Sequence, residues 1–253
     1  MPHAVLNGFR MYYEVAGAGL PLLFVHGGLG GGAGSALFRQ QLMPVLARHA
    51  CVIAFDRRAA GASEAPASGY SFAVFVADIF TLLDYLGHRQ AVLMGTSAGG
   101  PLVLQAALTC PERVLGLILA STATQTVRVP PALAPLITFL GNDGLVSLQA
   151  MVAKQEADPP FAVLRGMLQT YLAYHRHGDA IAARLGEITA PALILHGTAD
   201  AEVPFSEAKR LQAGLPRATL VPLAGGGHAI MLTHAEPYGQ AIIRFLQELT
   251  AGC

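Results

Sequence analysis

Tryptophan is absent from the 253 residues, and charge is sparse, with Asp, Glu, Lys and Arg making up only 13%. The 16 basic and 16 acidic residues cancel, so no net field draws the chain to nucleic acid or to an anionic membrane surface. Only three cysteines occur, Cys51, Cys110 and Cys253. They are an odd number, too widely spaced for a disulfide framework or a CxxC pair. That usage fits a reducing compartment. The chain start also lacks a basic segment leading into an apolar one, so a cytoplasmic protein without a signal peptide is expected. One uncharged run, 90–110, is long enough to cross a bilayer. Its centre, Gly95-Thr96-Ser97-Ala98-Gly99-Gly100-Pro101, reads as a turn between a strand and a helix, so no membrane span is expected.

Apolar residues are abundant at 53%, with 28 Gly and 16 Pro, which excludes a disordered chain, a coiled coil and a collagen-like repeat. The length suits one domain with a modest insertion. A mean hydropathy of +0.47 leaves two readings open: a large buried core, or an apolar face that pairs two copies as a homodimer.

Ala4 to Val15 alternates and carries Asn7-Gly8 at its centre, a hairpin signal. Short apolar runs then alternate with helical patterns. Strands are predicted over 20–25, 51–55, 91–94, 114–120, 192–195 and 219–222. Helices are predicted over 38–48, 72–86, 98–108, 206–214 and 234–249. Unbroken apolar strands between amphipathic helices imply a mostly parallel, eight-stranded α/β sheet covered on both faces. The pattern changes over 125–186, where Pro130-Pro131, Pro135 and Pro159-Pro160 punctuate helical stretches. The core is therefore expected at 1–124 and 187–253, with 125–186 a small helical cap.

The strongest local signal is Gly95-Thr96-Ser97-Ala98-Gly99, a G-x-S-x-G between an apolar strand and a helix. A sharp strand-to-helix turn needs small neighbours for close chain approach, and it exposes the serine above the sheet edge. The bland alternative is a tight turn without chemistry. A second signal is six glycines between Gly27 and Gly34. A phosphate cradle is the weaker reading there, because no Gly-Lys-Ser/Thr follows.

Four blocks carry a resemblance to the α/β-hydrolases, and it runs from about Ala4 to Leu249. They are His26-Gly27-Gly28-Leu29-Gly30, Asp56 to Ser63, the G-x-S-x-G turn, and the pair His196-Gly197-Thr198-Ala199-Asp200 with Gly226-Gly227-His228. The resemblance implies the chain order Ser, acid, His, and hence Ser97 as nucleophile, Asp200 as the orienting acid and His228 as the base. It implies an oxyanion hole from the backbone N–H groups of Gly28 and Ala98. Asp56 to Ser63 is similar to the family's D-x-R-G-x-G-x-S block, with Ala59 in place of its usual Gly. That block is structural in the family, so Arg57 and Arg58 are read as structural.

Rival assignments are weaker. His234 sits at the start of the last helix, where a surface or capping histidine is common. Asp143, Asp158 and Asp179 lie in the insertion, and Glu202 reads as a solvated loop residue. His175, His177 and Asp179 form an HxHxD cluster, but no fourth ligand is apparent, and exposed loop histidines are the expectation rather than a metal site. Phe139, Leu140, Met151, Phe161, Leu164, Met167 and Leu168 are expected to pack the insertion onto the core, with one or two lining an acyl pocket.

The expected activity is cleavage of a small, mainly apolar ester or lactone through an acyl-enzyme, with no metal or cofactor. Ser at position 97 argues against the family branches that use a carboxylate nucleophile. The glycine loop is similar to that of proline iminopeptidases, although only Glu156 and Asp158 supply acid in the middle of the insertion. C–C bond hydrolysis uses the same triad and stays open, as does a non-catalytic binding module on the same fold.

Overall fold

The computed structural model describes residues 2–124, 135, 138 and 159–251. Eight strands form one sheet: β1 (His3–Leu6), β2 (Phe9–Ala16), β3 (Pro21–Val25), β4 (Cys51–Phe55), β5 (Ala91–Thr96), β6 (Val114–Ala120), β7 (Ala192–Gly197) and β8 (Ala218–Leu223). Their spatial order is β1-β2-β4-β3-β5-β6-β7-β8. β1, β2 and β4 pair antiparallel, and every pair from β4 through β8 is parallel. The β1–β2 hairpin turns at Asn7 (φ +47°) and Gly8 (φ +74°), the two positive angles that a type I′ turn needs.

The strands are apolar throughout because both faces are covered. Leu23, Val25 and Leu93 face a core completed by α3 (Phe72–Tyr85), α4 (Gly99–Thr109), α5 (Pro159–Ala182) and α6 (Phe205–Gly214). Leu22, Phe24, Val92 and Met94 face the opposite core, completed by α1 (Ala36–Gln41), α2 (Met43–Leu46) and α8 (Ala235–Ala251). Each such side chain contributes about 1.5–3 kcal/mol on full burial, so the central strands anchor the fold. β8 tolerates Pro222 because it is an edge strand, where one missing N–H costs no ladder bond on the open side.

The helix expected over 38–48 is two short helices. Pro44 lies in the first turn of α2, where its missing N–H is harmless, but it cannot continue α1 through the same point. A short helix, α7 (Ile230–Thr233), precedes α8. Among the described residues no helix is long and apolar enough to cross a membrane. The uncharged run 90–110 forms β5, the turn and α4.

Candidate active site

Parallel strands all end at one edge of the sheet, and the loops leaving that edge bring the site together. Ser97 sits between β5 and α4 with φ +51°, a left-handed angle that costs a non-glycine residue about 1–2 kcal/mol. The strain is held in place by neighbours: the Ser97 N–H donates to the Ala120 carbonyl at 3.0 Å. The motif glycines are required by packing. A Cβ at Gly99 would lie 2.1 Å from the Val25 carbonyl oxygen, and one at Gly95 would lie 2.6 Å from that of Gly99. Gly27 is required for the same reason, since its Cβ would fall 2.9 Å from the Cβ of Ser97.

His228 follows β8, and its Nε2 lies 3.1 Å from Ser97 Oγ. Its Nδ1 lies 2.9 Å from Asp200 Oδ2, in the loop after β7. With Nδ1–H donated to the carboxylate, the Nε2 lone pair faces the serine hydroxyl, the tautomer that proton abstraction needs. Asp200 is itself buried and fixed: Oδ1 accepts from the N–H groups of Glu202 at 2.8 Å and Val203 at 2.9 Å. His196 Nε2 lies 3.4 Å from Oδ2 and 2.9 Å from the Val203 carbonyl.

Gly28 and Ala98 line the same cavity as Ser97 and His228, a space of about 580 Å³. Its walls are mainly apolar, from Leu29, Leu37, Met167, Val203, Ile230 and Met231. The loop carrying Gly28 is braced from below. His26 is buried, with Nε2 2.9 Å from the Arg57 N–H and Nδ1 2.7 Å from the Gly27 carbonyl. Burial holds its imidazole down to about 3, with the Arg57 charge acting in the same direction, so it is neutral and divides its two nitrogens into acceptor and donor. The Arg57 guanidinium donates to the carbonyls of Gly27 and Gly28 and to the Tyr174 hydroxyl. Tyr174, on α5, donates in turn to the Ala98 carbonyl. Burial pushes its phenol up to about 12, which keeps it a donor.

Arg57 and Arg58 are both structural but do different work. Arg58 forms a buried pair with Asp78, at 2.6 and 2.8 Å, with Asn7 Nδ2 3.0 Å from the same carboxylate. Arg57 supports the glycine loop. No sequence pattern marks Tyr174 for this bracing role, because it acts through a main-chain carbonyl.

The rivals fall elsewhere. His234 bonds to Thr233 Oγ1 and the Ala224 carbonyl, away from Ser97. His175 and His177 lie on a helix, not a loop, and two residues of helix turn them to different sides. His175 stacks on Tyr171 and His177 on Phe72. Among the described residues no group of three potential ligands could hold a metal. Asp143, Glu156, Asp158, Phe139, Leu140 and Met151 lie outside the described residues, as do the side chains of Phe161 and Asp179. Met167 lines the cavity and Leu168 is buried. Glu202 is an exposed loop residue, as read from the sequence, and it also lines the cavity, with Oε2 3.8 Å from His228 Nε2.

Comparison with known proteins agrees with the fold. A profile of the alpha/beta hydrolase fold matches residues 21–175, and one described as TAP-like protein matches 175–251. The chain is 32% identical to the “Putative carbamate hydrolase RutD” of Variovorax paradoxus, over 95% of this chain and 97% of that one. It is 29% identical to a 2-hydroxy-6-oxononadienedioate/2-hydroxy-6-oxononatrienedioate hydrolase of Pseudomonas putida, over 94% and 92%. The enol-lactonase of Burkholderia xenovorans shares the fold at a TM-score of 0.78, with 21% identity, over 97% of this chain and 100% of that one. This chain belongs to the α/β-hydrolase fold family.

Proposed function

We propose that the protein is a serine hydrolase that cleaves a carboxylic ester or lactone of a small, mainly apolar acid through an acyl-enzyme. The observation that carries this reading is the relay from Ser97 Oγ through His228 to a buried Asp200, opening into an apolar cavity. Ser97 attacks the carbonyl while His228 takes its proton. The oxyanion receives the N–H groups of Gly28 and Ala98, and His228 then returns the proton to the leaving alcohol. Water repeats the sequence on the acyl group. Residues 125–186 cap the site in this reading, and no metal or cofactor enters the chemistry.

Carbamate and C–C bond cleavage are the second reading, favoured by the names of the relatives at 32% and 29% identity. Both start from the same activated serine, so two experiments are needed. Peptide mapping after exposure to a fluorophosphonate is expected to show one adduct, on Ser97, absent in His228→Ala. Turnover of a panel of esters, lactones, carbamates, a ring-cleavage dienoate and proline β-naphthylamide then ranks the bond types, with esters or lactones expected first. Ser97→Ala is expected to lose about 10⁴-fold or more in kcat. Full turnover by Ser97→Ala would end the serine mechanism. Stoichiometric binding without turnover or adduct would leave a binding module.

A further inference from the structure

β6 is followed by two consecutive hydroxyl residues that reach both halves of the site. Ser121 is fully buried and has φ +46°, a second left-handed non-glycine residue beside the elbow. Its N–H donates to the Leu195 carbonyl at 2.9 Å, which ties it to β7. Its hydroxyl donates to the His228 carbonyl at 2.9 Å. The next hydroxyl, on Thr122, donates to the Ser97 carbonyl at 2.5 Å and is 1% exposed. Gly100 allows that approach, since a Cβ there would lie 2.0 Å from Thr122 Oγ1. Neither hydroxyl residue lines the cavity. A strained residue buried at a site is retained only where its surroundings over-determine it. Ser121 is held by β7 and by the His228 loop, and the neighbouring Thr122 hydroxyl ends on the loop that carries Ser97.

The Ser97 carbonyl and the Ala98 N–H belong to one peptide unit, in which the two groups point in opposite directions. Thr122 and the Gly100 N–H, at 3.0 Å, hold that carbonyl on the interior side, which aims the Ala98 N–H at the cavity. A hydrogen bond to the carbonyl also polarises the peptide and strengthens its N–H as a donor.

We propose that Ser121 and Thr122 are positioning residues: Thr122 aims the Ala98 N–H at the oxyanion through the Ser97 carbonyl, and Ser121 fixes the His228 loop against the same corner. The proposal rests on the serine-hydrolase reading. It goes beyond that reading by naming groups that never touch substrate and yet set transition-state geometry.

Thr122→Val keeps the shape and removes the donor. On the best ester of the panel, kcat is expected to fall about 10- to 100-fold with KM unchanged, less than the loss of a whole oxyanion donor. Inhibition by a trifluoromethyl ketone, which forms a tetrahedral oxyanion on the serine, is expected to weaken by a similar factor. Thr122→Ser restores the hydroxyl and is expected to return kcat to within about threefold of wild type. A packing role would predict the reverse order, with Val tolerated and Ser not, and that result would overturn the proposal. Wild-type kcat and ketone affinity in Thr122→Val would overturn it too. Ser97→Ala in the same assay separates the two readings: if it is inactive while Thr122→Val is unimpaired, only the positioning role falls. If Thr122→Val does not fold, Ser121→Ala carries the test, with the same loss of kcat at constant KM expected and unchanged kcat overturning it.

Discussion

Ala59 occupies a left-handed conformation, φ +58°, at a position where the resembled block usually carries glycine. An L residue there costs about 1–2 kcal/mol, and glycine would return about 0.4–1 kcal/mol of that as extra freedom of the unfolded chain. Ala59→Gly is therefore expected to stabilise the protein by about 0.5–1 kcal/mol. Urea titration would read this as a higher midpoint at constant slope, and heating as a rise of about 1–4 °C. A lower midpoint would show that the methyl group contributes more by packing than it costs in strain. At this scale the sequence was legible for groups that act through their own side chains. Ser97, Asp200 and His228, which the structure brings into one hydrogen-bonded row, stand out because a hydroxyl, a carboxylate and an imidazole are distinct residue types at the ends of apolar strands. His26, Arg57, Ser121, Thr122 and Tyr174 do their work on main-chain groups, and a main-chain group leaves no mark on the residue type that carries it.

Helix α5 packs on the core through Gly166, which fits closely against Ala59. A Cβ at Gly166 would lie 2.4 Å from the Ala59 methyl and 2.8 Å from the Tyr70 hydroxyl. The methyl at 59 and the missing methyl at 166 are thus one packing solution shared between the loop after β4 and the helix. Gly166→Ala is expected to cost about 1–3 kcal/mol as an overpacked contact, despite alanine's better helix propensity. In the Ala59→Gly background the cost is expected to fall by at least about 0.5 kcal/mol, the coupling typical of touching residues. A double-mutant cycle in urea measures it, and additive effects would mean that α5 is held off the loop by other contacts. Elements as such were readable where one physical rule dominated. The strands β3 to β7 appear as apolar runs bounded by turns, and α3 begins at Ser71, whose side chain accepts from the Val74 N–H. The division of α1 from α2 is hidden in the sequence, because apolar periodicity runs straight through Leu42 and only Pro44 marks the break. α5 was visible only as helical stretches, since its apolar positions face two environments, the core at Leu168, Leu172 and Tyr174 and the cavity at Met167.

Across the whole molecule, the loops after β3, β5, β6, β7 and β8 converge at one sheet edge, and their buried hydrogen bonds depend on fixed protonation. His26 is a member whose charge state changes with folding. In the unfolded chain its imidazole titrates near 6.5. In the folded protein burial and the Arg57 charge hold it down to about 3. Its Nε2 must stay unprotonated to accept the Arg57 N–H, and a proton there would set two donors against each other. Between these values the unfolded chain binds a proton that the folded protein refuses, so stability rises with pH in this window and is lost as pH falls below about 6.5. The slope from this one site approaches about 1.4 kcal/mol per pH unit. Urea unfolding from pH 7 to pH 4 is expected to show that decline, and His26→Gln, which cannot titrate, is expected to flatten it by about the same slope even if its absolute stability is lower. Parallel pH curves for the two proteins would place the acid sensitivity in other groups.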